Sequence, residues 1–467
     1  MVGLPDAAVR EARERVRAAI ANCGFEFPLR RIVANLAPAS LRKAGPGMDL
    51  AIASALLTAS GQLEWGSGAE PPAMVGELAL DGSVRAVSGV LAIAEAAREL
   101  GSPAIVVPAE NGPEASLVAG IDVIPIDGLA RLPALAGGGW VPERPVPLPL
   151  MADPGDGGPD LADLRGQRHL RYALEVAAAG GHSLLMIGPP GAGKSMAAGR
   201  LPSILPGPGP EEALEVARIA SACGRLGGRP PGRPFRAPHH TISPAGLVGG
   251  GSPLRPGEAT LAHRGVLYLD QLCEFRRDAL EVLRAPLESG SARITRAGCW
   301  QRLPSHFMFL AAADPCPCGR GEADPDCCCS PIAIQRYLAR LNGALAERID
   351  IVVEIAPPSR VEIGGRPGEA SKAVRERVIA ARERQERRLG DGRCNADAEV
   401  AELSRFVVSD GAQRLLDRCL GPFDGLGGAR CNRVLRVART LADLAGADAV
   451  GEEQILEALL LGGGKRG

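Results

Sequence analysis

Hydrophobic and polar positions alternate with different periods along the chain, and the periods predict both helices and strands. Within the first 139 residues, three stretches have a helical pattern and two short runs are strand-like and apolar. The helical stretches are 7–21, 49–59 and 91–100, and the strand-like runs are 104–107 and 123–126. Helices interleaved with short apolar strands predict a domain that mixes α and β structure.

A stretch rich in proline and glycine, residues 137–160, interrupts this pattern and predicts an extended linker between domains. Beyond it, short apolar runs alternate with polar loops, then residues 370–389 show a charged helical pattern and 396–461 an all-helical one. The boundaries that we expect are 1–139 for the first domain, 140–160 for the linker, 161–358 for the second domain and 359–467 for the third.

Composition supports several domains of α/β type. The chain has 467 residues, too many for one ordinary core, and 46% of them are apolar. Only 3% are aromatic, while 60 are glycine and 40 are proline, so Ala, Leu and Val must do most of the packing between many turns. A formal net charge of −1 excludes a globally basic nucleic-acid binder but allows local basic loops.

Two further features of the sequence bear on its compartment. The first residues lack the pattern of a signal peptide, and no apolar stretch is long enough to span a bilayer, so we expect a soluble cytoplasmic protein. The chain has 12 cysteines, which in the cytosol are reduced thiols or metal ligands. Five of them lie between Cys316 and Cys329.

The run GPPGAGKS, residues 188–195, has the spacing of a phosphate-binding loop, and it lies between a strand-like run, 183–187, and a helical pattern, 196–201. Glycines in such a loop let backbone N–H groups surround phosphate oxygens at a helix N-terminus. Lys194 would reach the β- and γ-phosphates, and Ser195 would offer its hydroxyl to Mg²⁺. The residues expected to contact the nucleotide are Gly188, Pro189, Pro190, Gly191, Ala192, Gly193, Lys194, Ser195 and Met196.

A second strand-like run, residues 265–270, ends in Asp270, a carboxylate placed to hold the water shell of Mg²⁺. The next residue normally supplies the carboxylate that polarises the attacking water, and here it is Gln271. An amide can orient water but is not an effective base, so we expect the site to bind ATP better than it hydrolyses it. Glu274 could replace that base, although a solvated surface position is the more frequent role for such an acid.

Two more polar residues belong to the predicted nucleotide site. Asp314 follows a third strand-like run, residues 307–313, where a polar side chain could sense the γ-phosphate. Arg348 directly precedes another strand-like run, and an arginine so placed can act as a finger on the nucleotide of a neighbouring subunit. Without that context, Arg348 would be an ordinary surface arginine.

The cysteine-rich segment contains two close pairs, Cys316 with Cys318 and Cys327 with Cys329. Four thiolates so spaced could complete a tetrahedral zinc site, but Cys328 makes the ligand set ambiguous. Zinc binding and reduced structural thiols therefore both stay open.

Two segments have the charge pattern of a nucleic-acid contact. The first is residues 233–264, with Arg236, His239, His240 and Arg255. The second is a hairpin-like run, RITRAGCWQR, with Arg293, Arg296 and Arg302. Arginines in such loops can hold phosphates without reading sequence, or they can be solvated or hold subunits together.

With these residues in place, the chain resembles the ComM/YifB family of AAA+ proteins, relatives of the magnesium chelatase ATPase subunit. The matching blocks are VGLPDAAVRE, NLAPA, GPPGAGKS, RPFRAPHHTIS, RPGEATLAHRGVLYLD, PCPCG and RVLRVARTLADLAG. The resemblance spans nearly the whole chain. It implies a Lon-protease-like α+β domain of ribosomal S5-like type at 1–139, an AAA+ α/β core at 161–358 and a helical lid at 359–467.

The resemblance also carries site residues and an activity. Gly188, Gly193, Lys194 and Ser195 match Walker A, Asp270 matches Walker B, Arg348 matches the arginine finger and Arg430 resembles the sensor-2 arginine of the lid. The family usually has Glu at 271 and Asn at 314, so Gln271 and Asp314 are departures. ComM proteins form hexameric rings and are ATP-driven branch-migration helicases during natural transformation.

In the first domain, the resemblance implies a protease-like fold without protease chemistry. Lon-type peptidases use a Ser/Lys dyad, and the corresponding stretches KAGPGMD and SGVLAIA place Gly47 and Leu91 there. Ser88 and Lys43 lie nearby, and we interpret them as structural. Relatives carry a strand-rich segment before the VGLP block, so either the start lies upstream or this domain lacks its first strands.

The leading hypothesis is an ATP-dependent ring that acts on branched DNA. A second hypothesis is a nucleotide-gated scaffold that turns over ATP slowly or not at all, because of Gln271 and Asp314. A magnesium chelatase subunit is a weaker alternative, since a Lon-like domain is not part of that subunit's plan. The cofactors expected are ATP and Mg²⁺, and zinc is a further cofactor if the cysteines hold a metal.

Overall fold

The computed structural model describes residues 7–36, 45–66, 70–149, 158–226, 232–251, 254–296, 299–322, 324–341, 345–390, 392–420 and 426–462. The chain divides into two compact units, 1–152 with 209–231 and 153–208 with 232–467. The α-helices are α1 (Ala7–Asn22), α2 (Asp49–Ala59), α3 (Val90–Glu99), α4 (Gly112–Ala115), α5 (Leu132–Ala136), α6 (Arg168–Gly180), α7 (Lys194–Ile204), α8 (Pro210–Ala222), α9 (Pro244–Val248), α10 (Glu258–Leu261), α11 (Arg277–Glu281), α12 (Arg284–Ser289), α13 (Pro331–Leu338), α14 (Arg360–Gly364), α15 (Ser371–Leu389), α16 (Asp410–Leu420), α17 (Leu426–Ala445) and α18 (Glu452–Leu461). The strands are β1 (Ala73–Met74), β2 (Glu77–Leu78), β3 (Val84–Arg85), β4 (Ala104–Pro108), β5 (Asp122–Ile126), β6 (Leu184–Ile187), β7 (Phe235–Arg236), β8 (Gly249–Gly250), β9 (Arg255–Pro256), β10 (Val266–Leu269), β11 (Ser291–Arg296), β12 (Cys299–Pro304), β13 (Met308–Ala313) and β14 (Ile351–Glu354).

The first unit is built on a small parallel sheet with strand order β1-β4-β5. Successive side chains of β4 enter different apolar clusters: Val106 packs with α1 and α2, while Ile105 and Val107 pack with α3. This alternation follows from the period of two in a strand, and it gives the sheet a helix-covered core on each face.

Helix α8 belongs to this first unit although its position in the chain is between α7 and β7. Its apolar face joins the cluster of α3, and Arg218 Nη2 lies 2.6 Å from Glu95 Oε1. The backbone amide of Gly89 donates to the carbonyl of Ser221 at 2.9 Å. The helix is therefore an insertion in the sequence of the second unit that packs within the first.

The second unit is built on a five-stranded parallel sheet with strand order β14-β6-β13-β10-β7. The strands β6, β10 and β13 are buried along their whole length, which explains their uninterrupted apolar sequences. Side chains of β6 alternate between two large clusters, one on each face of the sheet. The α/β class expected from the sequence is confirmed, and the structure adds that this sheet is parallel.

The C-terminal helices share the core of this sheet. Residues of α15, α16, α17 and α18 lie in the same apolar cluster as Leu184 and Met186 of β6. A buried polar network stabilises α17: the Asp443 carboxylate accepts hydrogen bonds from Arg439, Arg388 and Asn395. None of the helices in the described ranges combines the length and apolarity that a bilayer crossing requires.

Candidate nucleotide site and cysteine cluster

The loop between β6 and α7 has the backbone geometry that its glycines were expected to provide. Gly191 and Gly193 have positive φ angles of 80° and 90°, a region that favours glycine. A Cβ on Gly188 would lie 2.5 Å from the Ile355 carbonyl oxygen, closer than any side chain could fit. Within the run, Ala192 and Lys194 are buried, while Pro190, Ser195 and Met196 are exposed.

Lys194 is held at the carboxyl edge of the sheet by three acceptors. Its Nζ donates to the carbonyl oxygens of Gly188 and Pro189, and it lies 2.8 Å from Oδ1 of Asp314. Asp314 follows the last residue of β13, the strand next to β6. The side chain of Lys194 is only 8% exposed, so this ion pair is shielded from solvent and stronger than a surface pair.

Ser195 and Asp270 come together on the same edge. The Ser195 hydroxyl donates to Oδ2 of Asp270 at 2.8 Å, and the Tyr268 hydroxyl lies 3.5 Å from Ser195 Oγ. Burial raises the pKa of Tyr268 above its usual range, so its phenol stays a donor. A hydroxyl and a carboxylate at this separation are oxygen donors of the kind that Mg²⁺ prefers.

Gln271 has a left-handed backbone, with φ 54° and ψ 52°, which is rare for a residue other than glycine. Its backbone N–H donates to Oδ1 of Asp270 at 3.0 Å, and its backbone carbonyl accepts from the backbone N–H of Glu274 at 2.8 Å. The side chains of Gln271 and Glu274 are both exposed. The turn therefore holds the Asp270 carboxylate while presenting an amide to solvent.

A cleft of about 750 Å³ borders this edge, and no motif in the sequence predicts it. Its lining comes from residues 166–171, 354–358, 362 and 365–368. Gln167 connects it to the phosphate-binding loop, because its Nε2 donates to the carbonyls of Ala356 at 2.7 Å and Ala192 at 3.4 Å. Neither part of the lining carries a nucleotide signature, and the two parts are brought together by the parallel pairing of β14 with β6 and by the hydrogen bond from Gln167 to Ala356.

Arg348 and Arg430 lie at the opposite edge of the sheet. Arg348 ends a 3₁₀ turn just before β14, and its Nη2 is 2.5 Å from Glu288 Oε1. Arg430, on α17, borders a narrow cleft together with Asp350 and Arg433. Since β14 and β6 are parallel, the residues that precede β14 are at the amino edge, whereas the phosphate-binding loop leaves the carboxyl edge. The fold does not bring these two arginines to the phosphate-binding loop of the same chain.

Four cysteines form a compact cluster just beyond Asp314. Their sulfur atoms all lie within 4.8 Å of one another, and the members are Cys316, Cys318, Cys327 and Cys329. The Cys316 Sγ is 3.3 Å from Cys318 Sγ and 3.8 Å from Cys327 Sγ, close to the ~3.8 Å that separates sulfur atoms around tetrahedral zinc with Zn–S bonds of about 2.3 Å. A backbone donor at Arg320, aided by the Cys316 thiol, lowers the pKa of Cys318 to about 6. Cys328 is exposed and outside the set.

The two arginine-rich segments differ in how their side chains are used. Arg236 pairs with Glu258 at 2.6 Å and Arg233 donates to backbone carbonyls, so both are structural, whereas Arg255 is exposed. The rings of His239 and His240 contact each other with centroids 4.1 Å apart and planes tilted by 35°. These contacts leave few of the basic groups of this segment available to a ligand.

Strands β11 and β12 form the expected hairpin, in which Arg293 pairs across the strands with Arg302. Both arginines are exposed, and the Arg293 guanidinium lies 5.6 Å from the ring centre of Trp300. Trp300 itself is 65% exposed, a large aromatic surface that the sequence reasoning did not single out. The side chain of Arg296 lies outside the described residues.

Comparison with known proteins connects these features. Three family descriptions match: subunit ChlI of Mg-chelatase at residues 1–111, magnesium chelatase subunit ChlI at 160–363, and the C-terminal part of that subunit at 368–461. An uncharacterized protein of Mycobacterium tuberculosis is 44% identical, with 98% of this chain and 92% of the relative aligned. YifB of Salmonella typhimurium is 43% identical over 98% and 90% of the two chains, and the competence protein ComM of Haemophilus influenzae is 40% identical over 98% and 91%.

This chain belongs to the ComM/YifB family of magnesium chelatase ChlI-like proteins. The ChlI description at 160–363 covers the parallel sheet, the phosphate-binding loop and the cysteine cluster. The C-terminal description covers α15 to α18, the helices that pack into the same core. The family match therefore includes both the candidate nucleotide site and helices α15 to α18.

Proposed function

We propose that the protein binds Mg-ATP at the phosphate-binding loop and works as an ATP-driven ring that acts on branched DNA. The observation that carries the nucleotide site is the convergence of Lys194, Ser195, Asp270 and Asp314 at one sheet edge, with contacts of 2.8 Å between them. Residues from three separate strand ends meet there, and that is the arrangement a magnesium nucleotide requires.

Each of these residues has a role that follows from its chemistry. The ammonium of Lys194 neutralises phosphate charge, while the Ser195 hydroxyl and the Asp270 carboxylate would hold Mg²⁺ and its water. The cleft beside Gln167 is large enough for a nucleoside and opens next to the loop. Mg²⁺, when bound, supplies charge stabilisation to the transferring phosphoryl group.

Assembly into a ring, with a hexamer as the expected form, is supported by the placement of Arg348 and Arg430. Both lie at the sheet edge away from their own phosphate-binding loop. An arginine finger so placed can reach a nucleotide only across a subunit boundary. The relative ComM carries the name of a competence protein, and action on DNA is carried to this chain as part of the same proposal.

The DNA contact that we propose is the hairpin β11–β12. Arg293 and Arg302 face solvent side by side, next to the exposed ring of Trp300. Arginines can hold phosphates and an exposed aromatic ring can stack on a base, a combination typical of contacts with single strands.

The first unit gives no support to a peptidase. Leu91 is fully buried among apolar side chains, and the nearest side chains to Gly47 are Val75 and Val87. Neither position offers a nucleophile or a base. We propose that this unit has a Lon-like fold and serves in protein contacts rather than in peptide-bond cleavage.

The four cysteines are proposed to hold zinc. The sulfur separations fit tetrahedral coordination, and Cys316 is buried where it can anchor the site. Metal analysis of protein purified without chelator should find close to one zinc per chain. A content far below that would remove zinc from the proposal.

A second candidate, a nucleotide-gated scaffold with slow or absent turnover, is favoured by the amide of Gln271. Steady-state ATPase of wild type beside Gln271→Glu separates the two. Slow turnover in the wild type and faster turnover in Gln271→Glu would support the scaffold, because the glutamate supplies a base that polarises the attacking water. Brisk turnover in the wild type would exclude the scaffold.

The DNA part is tested by binding the full chain to a four-way junction, with and without ATP, across a salt series. The proposal expects a complex that strengthens with ATP and weakens steeply with salt. Absence of any salt-sensitive complex under either condition would remove DNA from the function.

A further inference from the structure

The cysteine cluster and the nucleotide site are joined by one short segment of chain. Asp314, whose Oδ1 is 2.8 Å from Lys194 Nζ, is two residues before Cys316. Cys316 is fully buried, and its Sγ accepts from the backbone amide of Gly321 at 3.2 Å. The first cysteine of the cluster is therefore only two residues from a residue of the proposed nucleotide site.

The same segment folds back onto the phosphate-binding loop. Gly319 has φ +84°, and a Cβ built there would lie 2.9 Å from Cδ of Pro190 and 3.9 Å from Oδ2 of Asp314. Its backbone amide donates to the carbonyl of Cys316 at 2.9 Å. Pro190 belongs to the phosphate-binding loop, so the turn at Gly319 packs directly on the residues expected to surround phosphate.

We propose that a divalent metal of the zinc class, held by Cys316, Cys318, Cys327 and Cys329, tightens nucleotide binding at the phosphate-binding loop. The inference rests on the proposed nucleotide site. Metal coordination fixes the four sulfur atoms and orders the segment between them. That order seats Gly319 against Pro190 and so holds the phosphate-binding loop in the shape that surrounds phosphate.

Linkage makes the effect mutual. If the metal raises nucleotide affinity by some factor, nucleotide raises metal affinity by the same factor. Couplings of this kind are typically 5–150-fold, and for direct packing of one loop on another we expect about tenfold. The cluster thereby makes ATP binding depend on metal supply or thiol oxidation.

The test uses the full chain with zinc bound, after zinc release by a mercurial reagent that excess thiol then removes, and after zinc is restored to the freed thiols. Titration with a fluorescent ATP analogue in the presence of Mg²⁺ should give about tenfold weaker binding in the stripped protein, with recovery on zinc addition. A saturating Mg-ATP concentration should slow zinc transfer to a chromogenic chelator. Equal nucleotide affinity in the loaded and stripped protein would overturn the inference.

Matched variants keep the result interpretable if a cysteine change disturbs folding. Cys318→Ser should lose zinc and weaken nucleotide binding, while Cys328→Ser, a neighbouring cysteine outside the cluster, should change neither. Gly319→Ala should keep its zinc but weaken nucleotide binding, because the added Cβ pushes against Pro190. Gly138→Ala, also at positive φ but with nothing within 4 Å of its Cβ, is the control.

The outcomes also separate this inference from the proposed function. Zinc-loaded protein that binds no nucleotide would remove both the nucleotide site and the coupling. Protein that binds nucleotide but holds no metal would remove the coupling alone. Unchanged nucleotide affinity in Gly319→Ala would show that the turn at Gly319 does not couple the metal site to the phosphate-binding loop.

Discussion

At the scale of single residues, the nucleotide site combines a common lysine with an unusual partner. Lys194 lies 2.8 Å from a carboxylate, Asp314, where the family resemblance implies an amide. A carboxylate attracts the lysine, but it also places negative charge where the γ-phosphate of ATP would lie. Two like charges about 4 Å apart repel by up to about 4 kcal/mol at an effective dielectric constant near 20, so the identity of this residue should matter.

Asp314→Asn should therefore bind ATP about tenfold more tightly, with a smaller effect on ADP because ADP lacks the γ-phosphate. Equilibrium titration with both nucleotides measures this. Asp278→Asn, which removes an exposed carboxylate paired with Arg276, is the control and should leave both affinities unchanged. Weaker ATP binding in Asp314→Asn would show that the carboxylate assists the nucleotide instead of repelling it.

At the scale of elements, the local sequence pattern predicted where the buried strands lie. The strand-like runs at 183–187, 265–270 and 307–313 match β6, β10 and β13 closely, because a buried parallel strand is an unbroken apolar run. The hairpin at 291–304 was also visible in sequence. The exposure of Trp300 was not predicted. A tryptophan in the sequence can lie in the core or on the surface, and only the folded structure distinguishes the two.

Trp300→Ala tests the hairpin as a contact for single strands. Stacking of a base on an aromatic ring contributes about 1–3 kcal/mol, so the change should weaken single-strand binding about tenfold or more while barely altering the salt dependence. Fluorescence anisotropy with a short oligonucleotide measures both quantities. Trp140→Ala, in the first unit and likewise next to an arginine, should bind as wild type does. Equal binding by the two variants would exclude stacking on Trp300.

Helix α17 carries a buried charge network whose balance can be tested separately. Asp443 is fully buried and accepts from Arg439, which is only 2% exposed. Asp443→Asn leaves that guanidinium without a full counter-charge, and breaking such a pair costs about 3–5 kcal/mol of unfolding free energy. Thermal and urea unfolding measure the loss, with the exposed Asp417→Asn on α16 as control. A loss no larger than the control's would mean that the network contributes little stability.

At the scale of the whole molecule, the sequence did not predict which elements pack together or where distant residues meet. Helix α8 lies within the first unit although its apolar pattern resembles that of any other amphipathic helix, because partner choice depends on contacts distant in sequence. The placement of Arg348 and Arg430 at the amino edge likewise depends on strand order, which no motif encodes. The cleft beside Gln167 is assembled from two segments almost two hundred residues apart, so only the fold reveals it.

The proposed ring predicts complementation between defective chains. Arg348→Ala should bind ATP normally but turn it over slowly, since the finger serves the neighbouring site. Mixing it with Lys194→Ala should restore part of the ATPase activity, because some interfaces then join an intact loop to an intact finger. Arg277→Ala, an exposed arginine paired with Glu281, should keep full activity without mixing. A mixture no more active than either variant alone would contradict a site shared between subunits.

The proposed function depends above all on one property, a single Mg-ATP site at the phosphate-binding loop. Isothermal titration of the full chain with ATP, with and without Mg²⁺, measures it most directly. We predict saturable binding in the presence of Mg²⁺, and at least a hundredfold loss in Lys194→Ala, which corresponds to about 2.7 kcal/mol. Absence of binding by the wild type, or binding by Lys194→Ala with wild-type affinity, would contradict the account.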